Sequence, residues 1–234
     1  MRSAKRHHNS SIVISLGGSI IAPDKIDVNY LKKFRSLVLR YARRDFRFYI
    51  IPGGGATCRA YQKAAQDISK ISNDDLDWIG IATNKLHSTF LHAIFGKEAS
   101  PEIILLGSRI SDLKKRISIC IGGLAPGGTS DSTAVKFAQR FGAKAIVNLT
   151  NVAGVYDRDP RKFKTAKLIR RMTWDDLKRQ FGTAKTPGRH MPFDAAASNL
   201  AQKNAIQVAI MNGRDLKNFE NFLAGKSFKG TVIR

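Results

Sequence analysis

The stretch Ile117-Ser118-Ile119-Cys120-Ile121-Gly122-Gly123-Leu124-Ala125-Pro126-Gly127-Gly128-Thr129-Ser130-Asp131 decides the fold. A short β-branched run enters a glycine-rich turn, and a helical pattern over 130–141 follows at once. A strand, a glycine turn and a helix in that order make the repeating half of an α/β sheet. The glycines let the backbone adopt positive φ and approach an anion closely, and the helix start adds free N–H groups.

Two more turns of this kind lie upstream. Leu16-Gly17-Gly18-Ser19 follows an apolar run at 11–16, and Pro52-Gly53-Gly54-Gly55 follows one at 46–51. Any one of them reads equally well as a tight turn without a ligand. Three at corresponding positions favour one shared polyphosphate site. None is a G-x-x-x-x-G-K-[ST] loop or a G-x-G-x-x-G fingerprint, which demotes P-loop kinases and Rossmann dehydrogenases.

Further strands are expected at 102–106, 145–149 and 206–211, rich in Ile, Val, Leu and Phe as in a sheet buried on both faces. Helices fit the intervals: 30–43 capped by Asn29, 56–68, 77–95, 174–180 and 194–204. The expectation is a single α/β domain over 1–234, a three-layer α/β/α sandwich around a mainly parallel sheet. Residues 1–10 read as a basic, flexible start, and 157–192, rich in Lys, Arg, Pro and Gly, as hairpin or loops over the carboxyl edge of the sheet, where ligands sit in such folds.

Composition sets the outer limits. The chain has 234 residues, 43% of them hydrophobic, enough for a full core without disulfide or metal support. Two cysteines, Cys58 and Cys120, without paired C-x-x-C spacing, point away from a zinc site and toward a reducing compartment. No apolar stretch approaches the roughly 20 residues of a membrane helix, so the expectation is a soluble cytoplasmic protein. The net charge of +22 suits a nucleotide, a basic proteome or non-specific contact with nucleic acid.

Read together, Ile14-Ser15-Leu16-Gly17-Gly18-Ser19, Pro52-Gly53-Gly54-Gly55 with Arg59, the run Leu76 through Thr83, the run Gly123 through Asp131, and Thr150-Asn151-Val152-Ala153-Gly154-Val155-Tyr156 with Asp159-Pro160 resemble the amino acid kinase superfamily. Within it the pattern is most similar to the archaeal-type uridylate kinase family. The resemblance implies the amino acid kinase fold, a homohexamer, and transfer of the γ-phosphoryl group of ATP, with Mg2+, to UMP.

It also implies roles, position by position. Gly54 and Asp77 match UMP-contacting positions, Asp77 at the ribose. Leu124, Ala125, Pro126, Gly127, Gly128, Thr129 and Ser130 match the loop around the UMP phosphate and base, with the Thr129 and Ser130 hydroxyls as donors. Gly18, Ser19, Gly55 and Arg59 match the ATP phosphates and the transfer zone, and Thr150, Asn151, Tyr156 and Asp159 the ATP base and ribose. Asp131 and Asp194 match the carboxylates of the transfer centre; no dedicated protein metal cage is implied.

The chemistry asks for such residues in its own right. The attacking phosphate oxygen is already anionic, so alignment and charge stabilisation dominate. Carboxylates at that centre hold magnesium or orient a cation. Each has a plainer reading: Asp131 and Asp194 as acids at helix starts, Asp77 as a first-turn acid after 73–75, Arg59 as a solvated helix residue, Tyr156 as a packed ring.

The pattern also departs from the family. Ser15 stands where many members carry a lysine, and Lys185, Arg189 and His190 are positional candidates for the missing cation. Ala153 replaces an acid, and Lys85 and His87 stand where Arg and Asn are usual. His87 and His92 read as structural. Alternatives stay open: a kinase of isopentenyl phosphate, carbamate or an amino acid, or a non-catalytic nucleotide- or nucleic-acid-binding relative.

Overall fold

Along each long strand, neighbouring side chains enter different cores. Ile12, Ile14 and Leu16 pack with Phe48, Ile50, Ile119, Val147 and Leu149 on one side. Val13 packs with Tyr49, Ile51, Cys120, Ile146 and Val208 on the other. The period of two therefore divides a doubly buried sheet into two apolar layers.

The computed structural model describes residues 11–109, 113–122, 125–160, 162–182 and 192–234. Its strands are β1 (Ser11–Leu16), β2 (Arg47–Pro52), β3 (Ile104–Leu105), β4 (Ile117–Ile121), β5 (Ala145–Thr150), β6 (Arg171–Met172), β7 (Gln207–Asn212) and β8 (Thr231–Ile233). They form one sheet in the order β3-β4-β2-β1-β5-β7-β8-β6, parallel throughout except between β7 and β8.

The helices are α1 (Gly18–Ile21), α2 (Val28–Ala42), α3 (Gly55–Ile68), α4 (Asn73–Phe95), α5 (Ser130–Phe141), α6 (Trp174–Phe181), α7 (Ala195–Lys203) and α8 (Leu216–Leu223). Side chains of α1, α2, α8 and the end of α4 fill the first core, and those of α5, α6 and α7 fill the second. The three-layer α/β/α architecture expected from the sequence is the one observed.

Several boundaries move, each for a local reason. The cap of α2 is Asp27, not Asn29: its carboxylate accepts from Tyr30 N at 3.0 Å, and Asn29 lies inside the first turn. A full negative charge at that end is the better match to the helix dipole. Helix α4 starts at Asn73 behind the Ser72 cap, so Asp77 stands in its second turn and not its first. The strand expected over 102–106 shortens to two residues.

Asp194 caps α7 and lies just outside it. Strands β6 and β8 and helices α1 and α8 have no counterpart among the sequence expectations; the two strands and α1 are too short to show a period. A bridge pairs Tyr156 with Leu168, and Asp157 N donates to Lys167 O at 3.1 Å. Residues 1–10, Leu124, Lys185, Arg189 and His190 lie outside the described residues.

Candidate functional site

The carboxyl ends of β1, β2, β4, β5 and β7 share one edge, and the three glycine turns lie there. The first two turns stack on each other. A Cβ on Gly18 would stand 2.3 Å from Gly53 O, and one on Gly55, whose φ is +59°, 2.2 Å from Gly18 C. Only glycine permits that contact. Buried His87 donates from Nδ1 to Gly53 O at 2.7 Å and steadies the second turn, while His92 donates to Ser100 O at 2.9 Å. Both histidines are structural, as their sequence context indicates.

The third turn closes over α4. Gly127 N donates to Asp77 Oδ2 at 2.8 Å, with Gly127 at φ +89°. This joins two segments to which the family resemblance gives one acceptor. A cavity of about 100 Å³ lies between them, walled by Asp77, Gly80, Ile81 and Asn84 of α4 and by Ala125 through Ser130 and Thr133. Of the expected acceptor residues, Asp77, Ala125, Pro126, Gly127, Gly128, Thr129 and Ser130 thus come together. Gly54 sits just behind this wall: a Cβ there would lie 3.3 Å from Asn84 Oδ1.

Asn84 has no place among the sequence expectations. Among the described residues its buried side-chain oxygen has no hydrogen-bond partner, and the residue borders the cavity. The sign available in the sequence was spacing: seven residues after Asp77 is two helical turns, hence the same face. Lys85, by contrast, is exposed and outside the cavity wall.

Beside the cavity two helix starts face each other. Thr129 caps α5, accepting from Ser132 N at 3.0 Å, and donates its own proton to Asp194 Oδ2 at 2.5 Å. Among the described residues the Ser130 hydroxyl makes no such bond. Asp194 accepts from Ala197 N at 2.8 Å through Oδ1, and its backbone N–H donates to Asp131 Oδ2 at 3.1 Å. The capping roles are therefore real for Thr129 and Asp194, while Asp131 points across to the neighbouring helix.

Burial pushes the Asp131 carboxyl up to about 7; the Asp194 N–H pulls it back, and the Asp194 charge raises it further. Among the described residues neither acid forms an ion pair with a Lys or Arg. Two carboxylates and few protein cations suit magnesium, which keeps waters and phosphate oxygens as its other ligands.

The residues expected at the phosphoryl donor come from α1, α3, the end of β5 and the segment that follows it. Gly17 N donates to Leu149 O at 2.9 Å, which joins the first turn to β5. Thr150 Oγ1 donates to Asn151 Oδ1 at 3.4 Å, Gln180 Nε2 donates to Tyr156 O at 2.9 Å, and Asp159 O receives the N–H groups of Lys162 and Phe163. These residues are outside the acceptor cavity. Arg59 is exposed on α3 and outside the acceptor cavity wall.

Stacked glycine turns at the carboxyl edge of a parallel sheet, with a carboxylate pair beside them, define an anion-handling α/β protein that lacks a P-loop. The family model described as "Amino acid kinase family" matches residues 10–212, and the chain belongs to that family. It is 33% identical over 230 residues to a protein named uridylate kinase from Thermoplasma volcanium, covering 96% of this chain and 98% of the relative. The solved uridylate kinase of Archaeoglobus fulgidus superposes with a TM-score of 0.76 at 26% identity, covering 95% and 99% of the two chains. The UMP kinase structure from Bacillus anthracis, at 20% identity and a TM-score of 0.77, shares the fold.

Proposed function

We propose that this chain is a uridylate kinase: it transfers the γ-phosphoryl group of ATP to a phosphate oxygen of UMP, giving ADP and the UDP needed for pyrimidine nucleotide synthesis. The observation that carries this is the cavity in which Asp77 and the 125–130 loop meet beside Asp131 and Asp194. The names of the relatives, uridylate kinases matched over nearly their whole length, support UMP as the acceptor.

Asp77, Gly54 and residues 125–130 bind the acceptor, with Leu124 of the same loop outside the described residues. Gly18, Ser19, Gly55 and Arg59 take the donor phosphates; Thr150, Asn151, Tyr156 and Asp159 take the adenosine. Bound magnesium neutralises phosphate charge, and Asp131 and Asp194 are the residues that would hold it. The chain's own contribution is to align two anions in line and to surround them with backbone N–H groups, so that the bond to ADP breaks as the bond to UMP forms.

Self-association, a homohexamer by resemblance, belongs to the same reading. No residue of helix α3 is fully buried, and Tyr61, Ile68, Trp78 and Leu86 leave an exposed apolar surface on α3 and α4. Sedimentation of the intact chain measures the assembly. A single domain and a cytoplasmic location complete the proposal; among the described residues no helix is long and apolar enough to cross a membrane.

The test is ADP release with MgATP across UMP, CMP, dUMP, AMP, isopentenyl phosphate, carbamate and glutamate, with the product identified by mass. Strong turnover with UMP is expected. A folded protein that is silent toward UMP, or that prefers a non-nucleotide acceptor, overturns the reading.

A further inference from the structure

One face of α4 presents Asp77, Gly80, Ile81 and Asn84 to the acceptor cavity, at the spacing of successive helical turns. Asp77 marks one end of this wall, where its carboxylate receives the Gly127 N–H. Asn84 marks the other, about 10 Å further along the helix axis. There it meets the second glycine turn: a Cβ on Gly54 would lie 3.3 Å from Asn84 Oδ1. That turn rests on the first, since a Cβ on Gly18 would lie 2.4 Å from Gly55 N and 2.5 Å from Gly54 C. The Asn84 end of the cavity therefore adjoins the turns assigned to the donor phosphates, and the Asp77 end lies away from them.

A phosphate group at the Asn84 end meets no cation in the wall. Among the described residues Asp77 is the only ionisable side chain lining the cavity, and Arg59 and Lys85 are exposed and outside it. The Thr129 hydroxyl already donates to Asp194. Asn84, in contrast, makes no hydrogen bond among the described residues; its Oδ1 is buried against the second turn, and its Nδ2 is not buried. Buried polar groups of folded proteins are almost always paired, so an amide that bonds nothing is placed for something other than the fold. It leaves two N–H donors free at the cavity wall.

We infer that Asn84 binds the phosphate group of the acceptor, its Nδ2 donating to a phosphate oxygen while Asp77 holds the ribose. This deepens the uridylate kinase reading and rests on it. The reverse placement, with the base at Asn84, sets the phosphate against the Asp77 carboxylate and away from the donor turns. A neutral amide at this position has a chemical consequence. It orients the attacking oxygen without cancelling the negative charge that makes it a nucleophile, whereas a lysine or arginine there would bind the phosphate more strongly and blunt its attack.

The test is calorimetric titration of UMP, CMP and dUMP into the full chain without ATP, at about pH 8.5, where an introduced carboxyl is ionised. N84L removes the donor and is expected to weaken all three ligands about 5-fold and to the same extent, since they share the phosphate. N84D keeps an oxygen in place but exchanges the N–H donor for a negative charge, and is expected to weaken them at least about 30-fold. K85A removes an exposed charge outside the wall and is expected to change binding less than about 2-fold. Melting curves establish that each variant is folded. N84D binding UMP as well as N84L does, or better, overturns the inference, because the amide then accepts a proton from the base or ribose. Unequal losses among the three ligands also overturn it, as does a loss from K85A that matches N84L. A wild-type chain that binds no UMP overturns the uridylate kinase reading itself, so the two failures are distinct.

Discussion

The backbone N–H of Asp194 donates to the Asp131 carboxylate at 3.1 Å, so the residue that caps α7 also holds the acid at the start of α5. The bond ties two helix starts into one centre. Asn at position 131 keeps an acceptor for that N–H and removes only the charge. Asp131→Asn is therefore expected to lower kcat with UMP at least about 100-fold, the scale of losing one electrostatic stabiliser, while the fold stays intact. Steady-state ADP release together with a melting curve checks it; near wild-type turnover would sink the proposed centre.

The same pair predicts how stability follows pH. Burial raises the Asp131 carboxyl in the folded chain to about 7 from 3.8, so the folded state binds this proton more tightly than the unfolded state. The group's stabilising contribution is complete below about 4 and is lost as pH rises through about 7. The melting temperature of the ligand-free chain should fall between about pH 5 and about pH 8 by more in the wild type than in Asp131→Asn. Parallel profiles for the two proteins would remove Asp131 as the cause.

Which features could be read from the sequence depends on how each is encoded. Strands buried on both faces, such as Ser11–Leu16 and Ile117–Ile121, announce themselves by short runs rich in Ile and Val that carry no charge. The glycines of the first two turns are legible because the backbone contact at Gly18 and Gly55 excludes other residues, and Gly127 of the third because its φ is +89°. Strands Arg171–Met172 and Thr231–Ile233 are set by tertiary pairing and carry no pattern of their own. The bond from Gly127 to Asp77 joins residues fifty positions apart, and the packing that leaves Asn84 Oδ1 unpartnered is likewise a product of tertiary structure. Spacing on α4 hints at Asn84, but only the folded cavity gives it a part to play.

Asp77 serves the loop as well as the acceptor, because its Oδ2 receives the Gly127 N–H. Asp77→Ala should raise KM for UMP about 10- to 100-fold with a smaller change in kcat, the magnitude of a hydrogen bond to a charged group. Asp77→Asn retains an acceptor for Gly127 and should recover part of the loss. A fall confined to kcat would place Asp77 at the reacting atoms instead.

Asn84 carries an unsatisfied buried oxygen at the cavity wall, an arrangement that costs stability in the empty protein. Asn84→Leu removes that polar atom and keeps the branched side-chain skeleton. The expected result is a gain of about 1 kcal/mol in unfolding free energy together with a several-fold higher KM for UMP. Chemical denaturation and initial rates measure the two halves separately. A destabilised Leu variant would mean that a water or an unseen partner already satisfies the oxygen.

Gly55 joins the two stacked turns and holds a left-handed conformation at φ +59°. An alanine Cβ there would come within 2.2 Å of Gly18 C and 2.3 Å of Ser19 N, both backbone atoms that cannot rotate away. Gly55→Ala must therefore separate the turns and is expected to cost about 2 kcal/mol or more, from strain at positive φ combined with overpacking. The turns carry the expected donor-phosphate contacts, so KM for ATP should rise more than KM for UMP. Gly142→Ala provides the contrast: it shares the left-handed conformation, with φ +63°, but nothing lies within 4 Å of its added Cβ. It should therefore lose only the conformational part, about 1 kcal/mol, with both KM values unchanged. Equal effects from the two substitutions would show that backbone conformation alone, and not the contact between the turns, requires glycine at position 55.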